Sequence, residues 1–534
     1  MTTPAHPLRR SHDTPREAIS AGEQLFETWR KRLGLFVSPA AFALTYWLCP
    51  ELQPEGRILA SILAGVAALW VSEVLPLPVS ALLGAVLCVV LGVADAKTVL
   101  ASFADPIVFV FIGGFMMARA ATVHGLDRRI ALGFLSLRWV GSSPARVMAG
   151  LGLVTAVLSM WVSNTAVTAM MLPIALGILG ALHEVRVSRG LAEGTIDVRR
   201  WPFATGMMIM VAYAASVGGI GTPVGTPPNL IGIGLIRTAT GIEISFLRWM
   251  TLAVPLFLAM GLVLFGQLYL LHRAGHAKGK GSSDDLMGDS GGRLLEYIRG
   301  ERAKLGPWTA GQVNTLIAFS VAVALWIAPG VLQLPWFEGN AVAPWLGKHM
   351  PESVVAMIGA ILLFMLPVNL KEGKFTLEWP EAAKIDWGTI LLFGGGLALG
   401  TLMFNTGVAD AMGHGLTAYL GVDSLWMLTG LSIAMAIVLS EAASNTASAN
   451  MIIPVTIAIA QAAGVSPLPP ALGACLGASF GFMLPVSTPP NAIVYGSGLV
   501  PLTKMMRAGI MFDLAGFMII WGGLYVLCPL LGLV

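Results

Sequence analysis

The sequence predicts an all-α polytopic membrane protein, with about 11 transmembrane helices plus two re-entrant hairpins in an inverted repeat. Three observations carry that prediction. The chain of 534 residues is 56% hydrophobic and 11% charged, with a mean hydropathy of +0.78, whereas soluble domains carry roughly 25% charged residues. Apolar runs near the ~20 residues needed to cross a bilayer recur along its whole length. The polar triplet Ser-Asn-Thr occurs twice in strongly apolar surroundings, in VLSMWVSNTAVTAMMLPIA and in VLSEAASNTASANMIIPVT, each eight residues before a proline (Pro173 and Pro454).

Residues 1–34 are polar and hold Arg9, Arg10, Arg16, Arg30, Lys31 and Arg32. A secretory signal would bring its apolar region earlier, so this stretch reads as a cytoplasmic lead-in. Apolar segments then fall near 35–50, 57–75, 78–94, 103–124, 144–180, 202–236, 247–271, 307–330, 351–369, 386–407, 424–462, 468–500 and 508–531. Segments 144–180 and 424–462 are too long for one span and awkward for two, and each has a triplet near its middle. Each reads as a hairpin that enters the membrane, turns at the triplet and leaves on the same side. Non-helical backbone at that depth is tolerated only where protein or a wet cavity covers it.

Stretch 274–306, opening with GHAKGKGSSDDLMGDSGG, reads as a flexible cytoplasmic linker. The segment RLLEYIRGERAKLG within it is either an interfacial helix or a solvated loop helix. The chain therefore divides into the lead-in 1–34, a first repeat 35–273 with spans 1–6, the linker, and a second repeat 307–534 with spans 7–11.

Charge sets the orientation. With the N-terminus in the cytoplasm, 27 of the 32 Lys and Arg fall on the cytoplasmic side, as the positive-inside rule requires. The first hairpin then opens to the cytoplasm and the second to the outside, and the C-terminus lies outside. The halves also resemble each other: FADPIVFVFIGGFMMARAATVHGLD resembles KIDWGTILLFGGGLALGTLMFNTGVAD, and GIGTPVGTPPNLIGIG resembles FMLPVSTPPNAIVYGSG. Asp105 and Asp386, Gly113 and Gly394, Ser163 and Ser444, and Pro173 and Pro454 are all 281 residues apart. Halves that enter from opposite sides form an inverted repeat. With interrupted helices, that is a transporter signature, with binding sites near the midplane. The scattered basic residues form no nucleic-acid stripe. Cys49, Cys88, Cys475 and Cys528 form no C-x-x-C pair and read as apolar packing residues.

The chemistry of the breaks follows from residue type. Ser, Asn and Thr are good N-caps. A helix restarted at membrane depth presents free N–H groups and a positive dipole end, which suits an anion. Carbonyls left by the preceding helix, with hydroxyls and amide oxygens, suit a hard cation such as Na⁺. Thr226-Pro227-Pro228-Asn229 and Thr488-Pro489-Pro490-Asn491 interrupt two further spans. There proline fits the first helical turn, Thr caps it, and Gly225 and Ser487 offer carbonyls. No Arg or Lys lies close to any of the four breaks, so a bound anion must be neutralised by cations, helix ends and neutral donors. Glu441 is either a functional carboxylate or a group that pairs with a donor on its hairpin. Asp105 and Asp386, at predicted span ends, read as helix caps.

This constellation resembles the divalent anion:sodium symporter family, which includes the sodium–dicarboxylate and sodium–citrate cotransporters, over roughly 35–534. The resemblance implies a homodimer with a dimerising scaffold domain. It also implies a transport domain built from both hairpins and both broken helices that moves like an elevator. It places at least two Na⁺ sites: one on Ser159, Ser163, Asn164 and the backbone of Gly225, the other on Ser440, Ala443, Asn445 and the backbone of Ser487. Substrate carboxylates would lie between Asn164-Thr165 and Asn445-Thr446, with Thr226, Thr488 and Pro489 nearby. Trp161 would pack the first tip. The expected function is Na⁺-coupled symport of C4-dicarboxylates (succinate, malate, fumarate) across a bacterial plasma membrane. The alternatives are a Na⁺-independent dicarboxylate exchanger and a Na⁺-coupled citrate or sulfate carrier. A membrane enzyme would need a nucleophile–base pair or a metal cluster, and no His lies beside either tip.

Overall fold

The computed structural model describes residues 21–140, 143–188, 190, 196, 201–272, 290–333, 336, 341–421 and 424–534. The first half comprises α1 (Ala21–Leu48), α2 (Pro54–Ser72), α3 (Leu77–Val90), α4 (Ala96–Ala101), α5 (Pro106–Val123) and α6 (Leu126–Leu135). The first hairpin, α7 (Pro144–Ser159) and α8 (Asn164–Ser188), follows, then α9 (Pro202–Gly219), α10 (Pro227–Thr240) and α11 (Phe246–Leu271). After α12 (Ser290–Ala303), the second half runs α13 (Ala310–Val331), α14 (Val342–His349), α15 (Glu352–Met365), α16 (Trp379–Ala382), α17 (Trp387–Asn405) and α18 (Val408–Leu420). The second hairpin is α19 (Leu425–Ala442) and α20 (Asn445–Ala462), followed by α21 (Leu468–Gly477), α22 (Pro489–Tyr495) and α23 (Leu502–Leu530). Among the described residues nine helical segments are long and apolar enough to cross a membrane, or ten if α14 and α15, bent by 75°, count as one broken span.

The triplets divide the long apolar segments where the sequence places the turns. Residues 160–163 separate α7 from α8, and residues 443–444 separate α19 from α20. Segments 202–236 and 468–500 are each two helices separated by an unwound stretch ending at TPP. Every residue of α9 after Pro202, and all of α21, is buried. Helices apolar all round belong in the core, and these two form the spine of their halves.

Packing follows the repeat. α7 lies on α9 as α19 lies on α21, and α8 and α20 pack on the same two helices from the other side. The restarted helices are exchanged: α10 packs against α20 and α21 of the second half, and α22 against α8 and α9 of the first. This exchange brings both hairpin tips and both breaks together. Asp105 caps α5 through the Ile107 N–H (2.9 Å) and is held by Arg237 (2.7 and 2.5 Å). Asp386 caps α17 through the Thr389 N–H (3.1 Å). All four cysteines are free, and the Cys475 thiol donates to the Pro228 carbonyl at 3.0 Å.

Three boundaries differ from expectation. α1 begins at Ala21, inside the predicted lead-in. Its first turns, AGEQLFETWRKRLG, are polar but rich in strong helix formers, which hydropathy alone does not register. The predicted span 351–369 ends at Met365, and Pro367–Asn369 pairs with Lys374–Phe375 in a small antiparallel hairpin. Gly373 supplies its left-handed turn residue (φ +65°), which Gly adopts without strain. Within the predicted linker, α12 buries Leu294 and Ile298 and sets the Tyr297 ring against Gly177 of α8. It is a docked helix; residues 273–289 lie outside the described residues.

Candidate functional site

Each hairpin tip is closed by the same local bonds. The Ser163 hydroxyl accepts the Ala166 N–H (3.3 Å), and Ser444 accepts that of Ala447 (3.2 Å). Ser159, the last residue of α7, donates to Oδ1 of Asn164, the first residue of α8, at 2.7 Å. Ser440 donates to Asn445 Oδ1 at 2.8 Å. Because the cap takes the third N–H, those of Asn164, Thr165, Asn445 and Thr446 have no intrahelical acceptor.

The TPP breaks are equally matched. Asn229 Nδ2 donates to the carbonyls of Gly219 (2.9 Å) and Thr222 (2.7 Å). Asn491 Nδ2 donates to those of Gly481 (2.9 Å) and Leu484 (3.0 Å). These fully buried amides satisfy carbonyls that unwinding would orphan. Thr226 and Thr488 begin the restarted helices, and Thr488 accepts the Asn491 N–H at 3.4 Å. Tip and break touch closely: a Cβ on Gly219 would sit 2.5 Å from Asn164 Oδ1, so only glycine fits there.

All four features meet on one cavity of about 590 Å³. Ser163, Asn164, Thr165, Gly225 and Thr226 line it from the first half. Asn445, Thr446, Ser487, Thr488 and Pro489 line it from the second. The remaining expected site residues, Ser159, Ser440 and Ala443, are buried one layer behind the wall. The starts of α8, α10 and α20 lie on this wall, so three positive helix ends face one cavity, an arrangement that favours an anion. Oxygen-rich turns lie immediately beside each start.

The cavity also holds charges that sequence reasoning did not place there. No basic residue was expected near the breaks, and along the chain none is close. In space, Arg119 from α5 and Lys384, just before α17, line the same cavity, with Asp386 beside them. Both cations are engaged by Glu381: Lys384 Nζ at 2.5 Å and Arg119 Nη2 at 2.5 Å. The Lys384 hydrogen bond, then that of Arg119, holds the Glu381 carboxyl below the usual carboxylate range.

Glu441 pairs with donors on the break rather than on its own hairpin. Its Oε1 accepts the N–H groups of Phe482 (2.6 Å) and Met483 (2.8 Å), and Ser487 Oγ donates to Oε2 (2.8 Å). Asn229 and Asn491 were legible as the last letter of TPPN in both halves, although their locking role was not. Trp161 stacks on Phe246 at 6.2 Å, a packing contact.

Comparison with known proteins agrees with this arrangement. The family described as "Sodium:sulfate symporter transmembrane region" matches residues 30–533. The chain is 33% identical over 500 residues to the sodium-dependent dicarboxylate transporter SdcS of Staphylococcus saprophyticus, covering 93% of this chain and 91% of that one. It is 31% identical over 502 residues to SdcS of Staphylococcus aureus, with the same coverage. Among solved structures, the Alcanivorax borkumensis YdaH transporter has a TM-score of 0.50 at 13% identity, covering 95% of this chain and 98% of that one. Neisseria gonorrhoeae MtrF also scores 0.50, at 12% identity and with 80% and 82% coverage. These two show a likeness of fold alone. Given its near-complete family match and its coverage of relatives above 30% identity, the chain belongs to the sodium:sulfate symporter family, the divalent anion:sodium symporters, a family of multi-pass membrane transporters and not of enzymes.

Proposed function

We propose that this protein is a secondary active transporter that couples import of C4-dicarboxylates such as succinate, malate and fumarate to Na⁺. The observation that carries this reading is the convergence of two capped hairpin tips and two TPP breaks on one cavity. Sodium occupies the oxygen cages first, on Ser159, Ser163, Asn164 and the Gly225 backbone, and on Ser440, Ala443, Asn445 and the Ser487 backbone. It thereby fixes the orientation of Asn164 and Asn445. The dianion then bridges Asn164-Thr165 and Asn445-Thr446, with Thr226, Thr488 and Pro489 completing the wall. At least two Na⁺ offset the two carboxylates, so the loaded body avoids the large cost of moving a bare dianion through an apolar medium.

The hairpins with α9, α10, α21 and α22 form the moving body of an elevator. α1 to α3 and α13 to α15 belong to the scaffold, which pairs in a homodimer. Arg119 and Lys384 mark the mouth of the cavity and lie in segments that the charge bias assigns to the cytoplasm, so the arrangement corresponds to an inward-open state. Relatives named for sodium-dependent dicarboxylate transport support the choice of ion and substrate class.

The same two cations favour a second reading, Na⁺-independent exchange, in which basic side chains stand in for sodium. Their engagement by Glu381 weighs against it. Labelled succinate uptake into proteoliposomes decides between them. Uptake into empty vesicles under an inward Na⁺ gradient, and not under the same K⁺ gradient, is the expected result. Uptake that needs internal succinate and ignores Na⁺ overturns coupling in favour of exchange.

A further inference from the structure

Beyond the cavity, one buried ionisable group is left without a role. Asp513 lies on α23 and is 6% exposed, and neither carboxyl oxygen receives a hydrogen bond. Its neighbours on the same helix face explain its position. Gly509 lies one turn before it and Gly516 one turn after. A Cβ on Gly509 would come within 2.5 Å of the Met483 backbone, and one on Gly516 would strike the Phe480 ring. Residues at this spacing share a helix face, so Asp513 faces the unwound stretch between α21 and α22. The side chain in hydrogen-bonding contact with it is Glu441.

Two carboxyl groups in contact need a proton or a cation between them. Glu441 already accepts two backbone N–H groups and the Ser487 hydroxyl, bonds that favour its ionised form. Asp513 accepts none, and an ionised carboxylate buried without donors is very costly. Tyr213 lies close by, but its hydroxyl donates to the carbonyls of Phe482 (2.5 Å) and Met505 (3.2 Å). Lys504 and Arg507 sit on earlier turns of α23, six or more residues away.

We propose that Asp513 is a neutral carboxylic acid that donates its O–H to Glu441, and so acts as a positioning residue for the second tip. The chain of contacts runs from Asp513 to Glu441, and from Glu441 to Ser487 and residues 482–483. It rests on the sodium reading for its functional consequence, because Ser487 is assigned there to the second cage. The protonation state stands apart from that reading.

The test has two arms on the full-length protein. Infrared spectra of the purified protein should show a protonated carboxylic C=O band that shifts on ¹³C labelling of aspartate and disappears in Asp513→Asn. Absence of such a band, or a band that shifts with glutamate labelling instead, overturns the proposal whether or not the protein moves sodium. In proteoliposomes, Asp513→Asn keeps an N–H donor toward Glu441 and should leave the Na⁺ activation curve within about twofold of the parent. Asp513→Leu fills the space without a donor and should raise the half-activating Na⁺ concentration several-fold. If Asp513→Asn loses Na⁺ activation as Asp513→Leu does, the carboxylate charge itself is required; the site then binds a cation, and the proton-donor role fails.

Discussion

The two hairpin tips share their sequence skeleton but are secured differently. In both, a Ser at the end of the first helix ties to the Asn that opens the second. At the next position the first tip has Met160 and the second has Glu441, 281 residues on. Around Met160 the tie to the break is a hydroxyl on a carbonyl, from Thr222 Oγ1 to Met160 O (2.5 Å), and Trp249 Nε1 holds the Ile220 carbonyl at 3.0 Å. Around Glu441 a carboxylate gathers three donors, and Ser440 makes an additional bond to the Ala478 carbonyl (2.8 Å). The first tip is therefore held by neutral bonds and close packing, the second by a charged hub. An inverted repeat fixes where the site forms and leaves each half to find its own means of rigidity.

That contrast predicts unequal responses to matched substitutions. The largest difference should come from Glu441→Ala against Met160→Ala. The first leaves two N–H groups and a hydroxyl without an acceptor, at roughly 1–3 kcal/mol for each buried group left unpaired. A drop in melting temperature and near-complete loss of Na⁺-driven uptake are expected. Met160→Ala costs only packing and should keep measurable uptake; equal loss in both would erase the distinction.

Next comes Gly219→Ala against Gly481→Ala. The new methyl group meets Asn164 Oδ1 at 2.5 Å in the first tip and Asn445 Oδ1 at 3.3 Å in the second. Gly219→Ala should displace the amide and raise the Na⁺ requirement at least about tenfold, which corresponds to ~1.4 kcal/mol. Gly481→Ala should shift it far less. Matching Na⁺ titrations would sharpen or refute the view that the first tip depends on packing.

The smallest effect belongs to Thr222→Val, which removes the neutral hydroxyl tie at the first tip. A loss of about 1 kcal/mol should appear as a modest fall in melting temperature without loss of uptake. A collapse comparable to that of Glu441→Ala would show that the two ties carry equal weight.

Much of the architecture was legible because hydropathy, proline and N-cap chemistry act locally. Ser163 and Ser444 cap the helices that their residue type predicts, and TPP sits at both helix restarts. The charge of the cavity was not legible. Arg119 and Glu381 are 262 residues apart, and nothing local in either stretch announces that they meet. Glu441 could be seen beside its tip, but its partners lie 41 to 46 residues on, across a break whose path only the packing determines. The helical start of α1 escaped notice for the opposite reason: it follows propensity where the eye follows hydropathy.

The exchange of α10 and α22 between halves bears on how the chain is made. The first hairpin tip begins at Asn164, but the restarted helix that covers it begins at Pro489, 325 residues later. At the ~5–20 residues per second of synthesis, that is a wait of roughly 16–65 s. For that time a polar turn inserted into the bilayer is without its lid. The second tip, flanked by α10 already in place, has no such delay. The half translated first is thus the last to be finished, and the ribosome must release nearly the whole chain before either binding surface exists.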